Sequence, residues 1–212
     1  MRLYPIRMPG WIGRFYPDRT WHMDRREKKI YLTFDDGPHP QITAFVLDQL
    51  RAYGAKASFF CIGKNVEAYP QIYRQILDEG HTTGNHTMHH LNGWETDTGT
   101  YVADIEQAAC WVESGLFRPP YGRIRKAQAK YLAAYQIVMW DVLSADFDRT
   151  IRPELCLKNV IRHSRNGSIV VMHDSEKAWE RMSYILPAVL EHFSQKGYEF
   201  VALPAKKTAV RV

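Results

Sequence analysis

The sequence predicts an α/β protein in which a parallel sheet, covered by helices, closes into a compact barrel. Three observations carry that prediction. Short apolar runs alternate with segments of helical periodicity along most of the chain. Some runs, such as Ser-Ile-Val-Val-Met at 168–172, are apolar almost throughout, the mark of a strand buried on both faces. The chain has 212 residues, enough for one well-buried core, and about seven strand–helix units in that length favour a barrel over an open sheet.

Residues 1–28 carry Pro5, Pro9, Gly10, Gly13 and Pro17 with little periodicity, and read as an arm laid over the domain. A β-rich run at 29–34 ends in Asp-Asp-Gly-Pro. Ile42, Phe45, Val46, Leu50 and Tyr53 recur at helical spacing, and Gly54 closes that helix. A strand at 57–62, a helix at 66–77 and a weak strand at 81–85 follow. The pattern continues with a helix at 100–113, a short strand at 116–118, a helix at 125–134 and a strand at 136–140. A helix at 153–165, the strand at 168–172, a long helix at 179–196 and a last strand at 198–202 complete a domain spanning 29–204. Residues 205–212 form a basic tail. Trp111 and Trp140 read as core residues.

Hydrophobic residues make up 45% of the chain and charged residues 24%, which excludes a disordered or fibrous protein. The net charge of +5 is confined to the ends. Residues 1–29 hold eight basic against three acidic residues, whereas 30–204 hold 17 basic and 20 acidic. A basic surface for nucleic acid would lie on the folded body, so no nucleic-acid partner is expected. The basic arm is expected to favour anionic lipid or cell-wall surfaces. No apolar stretch reaches the length of a membrane span, and Arg2, Arg7, Arg14, Asp18 and Arg19 interrupt any signal-peptide core. The sequence as written is therefore expected to be cytoplasmic, unless export uses another route. Cys61, Cys110 and Cys156 are scattered and odd in number, so they read as small buried hydrophobes.

Five segments carry chemistry, each at a predicted strand end. Thr33-Phe34-Asp35-Asp36-Gly37-Pro38 places two carboxylates side by side, which repel unless a cation or proton separates them. Asp-Gly-Pro is also ordinary turn chemistry. In Gly84-Asn85-His86-Thr87-Met88-His89-His90, one helical turn would put His86 and His90 on the same face, a zinc-ligand spacing. Two imidazoles and one carboxylate leave positions open for water, the pattern of a catalytic metal; the other carboxylate is then free as a base. Phe117-Arg118-Pro119-Pro120-Tyr121-Gly122 offers an arginine beside a rigid turn, able to hold a carboxylate. Trp140-Asp141-Val142-Leu143-Ser144-Ala145-Asp146-Phe147 is another strand end followed by acids, and Val171-Met172-His173-Asp174 presents a candidate proton donor.

Taken in order, these motifs resemble the polysaccharide deacetylases of the NodB-homology type, carbohydrate esterase family 4. The resemblance runs from about 29 to 203 and implies a distorted (β/α) barrel. It implies Asp35 as catalytic base and Asp36, His86 and His90 as ligands of a divalent metal. Zinc suits that set, and cobalt, nickel or manganese are alternatives. It further implies that Arg118 orients the base, that the Tyr121 N–H binds the oxyanion, and that Asp146 tunes His173, the acid. Phe147 stands where the family usually has Trp, and Val171 where it usually has Leu lining the acetyl pocket. Trp94 offers a face for sugar stacking, with packing in its loop as the alternative. The implied reaction is removal of N-acetyl groups from N-acetylglucosamine-containing glycans of the peptidoglycan or chitooligosaccharide type. A deacetylase of a small non-polymeric amide and a catalytically silent carbohydrate-binding homologue are the alternatives.

Overall fold

The computed structural model describes residues 4–204, so the basic tail at 205–212 lies outside the described residues. Among these residues there are nine strands: β1 (Arg19–Thr20), β2 (Lys29–Asp35), β3 (Ser58–Cys61), β4 (Thr82–Asn85), β5 (Leu116–Phe117), β6 (Gln136–Val138), β7 (Val142–Leu143), β8 (Ser168–His173) and β9 (Glu199–Phe200). They form one sheet in the order β1-β6-β5-β4-β3-β2-β8-β7, with β9 paired to β2, and every ladder is parallel. The sheet curls into an incomplete barrel. Seven of the nine match predicted strands. The other two, β1 and β7, have two residues each, too few to show a period.

The arm lies along both edges of this sheet. Arg7 bridges Val142 in antiparallel sense, with hydrogen bonds from Leu143 N to Ile6 O (2.8 Å) and from Met8 N to Asp141 O (3.0 Å). Further on, β1 pairs with β6. One segment therefore covers the backbone groups of two edge strands that would otherwise be open to pairing.

The helices are α1 (Ile12–Phe15), α2 (Ile42–Ala52), α3 (Gly63–Ala68), α4 (Pro70–Asp78), α5 (Thr98–Ala109), α6 (Lys126–Ala129), α7 (Pro153–His163) and α8 (Trp179–Gln195). The helix expected over 66–77 is two helices, because Pro70 disfavours helical backbone at Tyr69, which sits at φ −131°. That expected over 125–134 is α-helical only to Ala129 and then tightens into a 3₁₀ turn.

The alternation of β2 divides its side chains between two cores. Leu32 and Phe34 pack against Val46, Leu47 and Leu50 of α2 and Ile185, Leu186 and Val189 of α8. Each such side chain contributes about 1.5–3 kcal/mol on burial. On the inner side, Phe60, Leu116, Val138, Ile169 and Leu203 fill the barrel. Trp140 is partly buried against this inner cluster. Trp111 is not a core residue: it lies past the end of α5, 38% exposed. Of the cysteines, Cys61 and Cys156 are buried, but Cys110 is exposed. No described helix is long and apolar enough to cross a membrane.

Candidate active site

Parallel strands bring their carboxyl ends to one rim, and the chemistry-bearing residues meet there. Asp35 ends β2, His173 ends β8, and the two are direct cross-strand partners. Asn85 ends β4, and Arg118 follows β5.

Arg118 lies wholly inside the barrel, and all its bonds are specific. Its Nη1 donates to Asp35 Oδ1 (2.6 Å) and Thr33 Oγ1 (2.7 Å), Nε to Val138 O (3.2 Å) and Nη2 to Met139 O (3.0 Å). The guanidinium also stacks on Phe60 at 4.0 Å. A charge this buried is tolerable only when so paired; here it fixes one oxygen of Asp35 in place.

The chain then turns sharply. Asp36 adopts left-handed backbone at φ 83°, and Asn65 Nδ2 holds its carbonyl at 2.7 Å. Gly37 follows in close contact with Asp174: a Cβ at Gly37 would lie 2.0 Å from that carboxylate. The Asp-Asp-Gly-Pro segment is thus a turn that also aims two carboxylates apart.

His86 and His90 do converge, but not through a helical turn. Residues 86–90 are irregular, with left-handed backbone at Thr87 (φ 66°) and His90 (φ 58°). Side-chain acceptors replace the missing helical bonds. Asn85 Oδ1 takes the Thr87 N–H at 2.8 Å, and Asp104 Oδ2 takes those of Met88 (2.9 Å) and His89 (3.1 Å). Asp104 also bonds His89 Nδ1 at 2.6 Å, which keeps that ring out of the cluster. Asn85 stands in the predicted motif without a role, and Asp104 lies outside it, because a loop staple from α5 leaves no local pattern.

Asp36 Oδ1 stands 3.2 Å from His90 Nε2 and 3.7 Å from His86 Nε2, and the donor atoms of all three lie within 4.8 Å of one another. His86 Nδ1 contacts the Arg118 carbonyl at 2.7 Å. A carbonyl only accepts, so Nδ1 carries the proton and Nε2 offers its lone pair to the cluster. Burial, with repulsion from His90, pulls the His86 pKa down to about 4 despite the nearby carboxylates. Burial pushes Asp36 up, but its contact with His90 and the charges of His173 and His86 outweigh that and hold it well below the usual range. Its buried Oδ1 nevertheless has no hydrogen bond of good geometry. A carboxylate oxygen left without a good donor beside two imidazole nitrogens fits a bound divalent cation.

Across the rim, Asp146 is fully buried and grips His173 twice: Oδ1 bonds the ring Nδ1 at 2.7 Å, and Oδ2 takes the backbone N–H at 2.8 Å. Burial alone would lower the pKa of His173. The charge and hydrogen bond of Asp146, with Asp36 and Asp35, reverse this and raise it to about 9. Arg181 Nε in turn holds the Asp146 carbonyl at 2.8 Å. Asp174 accepts from Gly37 N (3.0 Å) and Thr43 Oγ1 (2.6 Å), and burial, with the charge of Asp36, raises it to about 7. Asp174, Thr43 and Arg181 were missed in the sequence; the Asp directly after His173 was the one visible signal.

The remaining expected residues are less closely gathered. Tyr121 is 61% exposed with left-handed backbone (φ 59°), and its ring meets His90 at 4.7 Å. The amides of Gly122 and Arg123 bond back to Pro119 and Pro120, which leaves the Tyr121 amide outside the turn's own hydrogen bonds. Phe147 packs edge-on to His173 at 5.3 Å, and the arm residue Tyr4 packs on its ring at 5.1 Å. Val171 is buried on the same face of β8 as His173, two residues back. Trp94 is 57% exposed on the outer rim, with Arg123 over its ring at 5.2 Å.

A protein-family model described as polysaccharide deacetylase matches residues 22–140. The chain belongs to that family. A peptidoglycan-N-acetylglucosamine deacetylase of Bacillus cereus is 38% identical over 192 residues, covering 87% of this chain and 90% of that protein. A chitooligosaccharide deacetylase of Azorhizobium caulinodans is 34% identical, covering 71% of this chain and 75% of that one. Among solved structures, a peptidoglycan N-acetylglucosamine deacetylase in complex with 4-naphthalen-1-yl-N-oxidanyl-benzamide superposes with a TM-score of 0.81 at 28% identity, covering 93% of this chain and 95% of that one. The distorted barrel is thus the fold of other polysaccharide deacetylases.

Proposed function

We propose that this polysaccharide deacetylase removes N-acetyl groups from N-acetylglucosamine-containing glycans of the peptidoglycan or chitooligosaccharide type. The observation that carries the reading is the pairing of Asp35 and His173 across adjacent strands, next to the Asp36–His86–His90 cluster. Those three residues hold a divalent cation, with zinc the best match to one carboxylate and two imidazoles. When bound, the cation polarises the acetamide carbonyl and acidifies water.

The other steps belong to the chain's own groups. Asp35, with one oxygen fixed by Arg118, accepts a proton from the attacking water through the other. The Tyr121 amide donates to the oxyanion as it forms. His173, kept as imidazolium by Asp146, gives its proton to the amide nitrogen as the C–N bond breaks. An amine leaves poorly without that proton. The products are acetate and a free amino sugar. Phe147 and Val171 shape the space beside His173. The exposed pair Trp94 and Tyr121, with Arg123 near both rings, supports stacking of sugar units beyond the reacting one.

Acetate release from chitooligosaccharides and peptidoglycan, before and after chelation, tests this. Chelation should abolish release and added zinc should restore it. Release from a chitooligosaccharide should exceed that from monomeric N-acetylglucosamine; the reverse order would favour a small-amide substrate. No release from any N-acetylated glycan by zinc-loaded protein would overturn the reading.

A further inference from the structure

A cavity of about 750 Å3 lies by the amino end of β8, the end opposite His173, where Arg165 and Asn166 lead into the strand. The arm supplies an apolar wall through Met8, Pro9, Ile12 and Trp21, and Arg19, Arg25 and Arg165 bring three guanidinium groups to the lining. Arg25 is occupied by the fold itself. Its Nη1 donates to Asn166 O and its Nη2 to Asp141 Oδ2, both at 2.7 Å.

Arg19 and Arg165 are not so occupied. The Arg19 side chain is only 6% exposed, yet its buried Nε has no hydrogen-bond acceptor. The nearest carboxylate, Asp18, stands 3.9 Å away on a side chain that is 54% exposed. Stacking on the Tyr16 ring at 4.3 Å orients the guanidinium without satisfying its donors. Arg165 is exposed and has no salt-bridge partner among the described residues; the charges of Arg25 and Arg7 repel it and only that of Asp141 draws it. A buried donor without an acceptor is costly to keep.

We infer that this cavity binds an organic phosphate, a phosphate monoester carried on an apolar body. The acceptor-less Nε of Arg19 and the exposed guanidinium of Arg165 match a dianion with three acceptor oxygens, and the arm's apolar wall matches the body. Three guanidinium groups against the single carboxylate of Asp141 leave the lining net positive, which favours an anion. A soluble phosphate ester and a lipid monophosphate share this chemistry.

The test is calorimetric titration of the whole chain with hexyl phosphate, inorganic phosphate and hexanol. It is paired with flotation on phosphatidylcholine vesicles with and without phosphatidic acid. Hexyl phosphate should bind at least tenfold more tightly than inorganic phosphate, with no heat from hexanol. Arg19→Gln and Arg165→Gln should each weaken it at least tenfold. Arg165 is exposed, so its variant keeps the test valid if Arg19→Gln fails to fold. Flotation that needs both phosphatidic acid and Arg165 supports the site with a lipid source; binding of hexyl phosphate without flotation supports it with a soluble source. Equal affinity of parent and Arg165→Gln, equal affinity for hexyl and inorganic phosphate, or no binding of any probe overturns it.

Discussion

The two ends of β8 carry opposite charge and handle it differently. At the amino end Asp141 is fully provided for: Arg25 Nη2 reaches it at 2.7 Å, the Ile169 N–H at 2.8 Å and Ser168 Oγ at 3.2 Å. At the carboxyl end Asp36 is less enclosed, its side chain 23% exposed against 7% for Asp141, yet its Oδ1 atom is buried and left without a good donor. The residue type is the same and both oxygens are shielded from solvent, so the contrast lies in satisfaction. A buried carboxylate whose lone pairs are all used serves the fold; one left short marks a place where something else binds.

Four substitutions sharpen or break that division, starting with the largest effect. Asp35→Asn keeps the shape and an acceptor for Arg118 but removes the base. Acetate release should fall roughly a thousandfold while the melting curve barely moves; loss of folding in place of rate would break the contrast. Next, Asp146→Asn removes the main charge that raises His173. The acid works only while protonated, so activity is present below its pKa and lost as pH rises through about 9. In the variant that alkaline limb of kcat/KM should move down by roughly 1–3 pH units. An unmoved limb would show that His173 is not the titrating group.

Arg25→Ala acts at the other end. Losing its bonds to Asp141 and Asn166 should cost about 1–3 kcal/mol, or roughly 2–4 °C in Tm per kcal/mol for a chain of this size. kcat should stay at the parent value; a fall in kcat without a fall in Tm would put this end in the catalytic machinery. Smallest is Arg26→Ala. Its pair with Asp24 is solvent-exposed, 87% and 48% by side chain, and screened charges of this kind add little. No shift in Tm should be resolved by calorimetry.

The site was far more legible in the sequence than its supports were. Asp35, Asp36, His86, His90, Arg118 and His173 fall at strand ends in short runs whose chemistry is unusual for a loop, and the order of those runs, through the family resemblance it carries, drew them together. Asp104, Asn65, Thr43 and Arg181 act from helices or loops distant in the chain, and each resembles any polar surface residue until the fold is known. The His86–His90 loop misled for a related reason. A spacing of four residues suggests a helix, but left-handed turns at Thr87 and His90 reach the same convergence. For the fold, runs long enough to show a period were readable. The two-residue strands β1 and β7, which depend on the arm, were not.

The arm also sets an order of events. Arg25 meets Asn166, 141 positions later, and Arg7 meets Val142. Residues 6–25 leave the ribosome long before any of these partners exists. They must wait, unpaired, until the chain has been made through Ser168. Closing such distant contacts is slow, because chain entropy is lost before the contacts repay it. Until the arm is seated, Phe147 lacks the ring of Tyr4 against it. Completion of the wall beside His173 would then depend on a segment made well before the sheet that it closes.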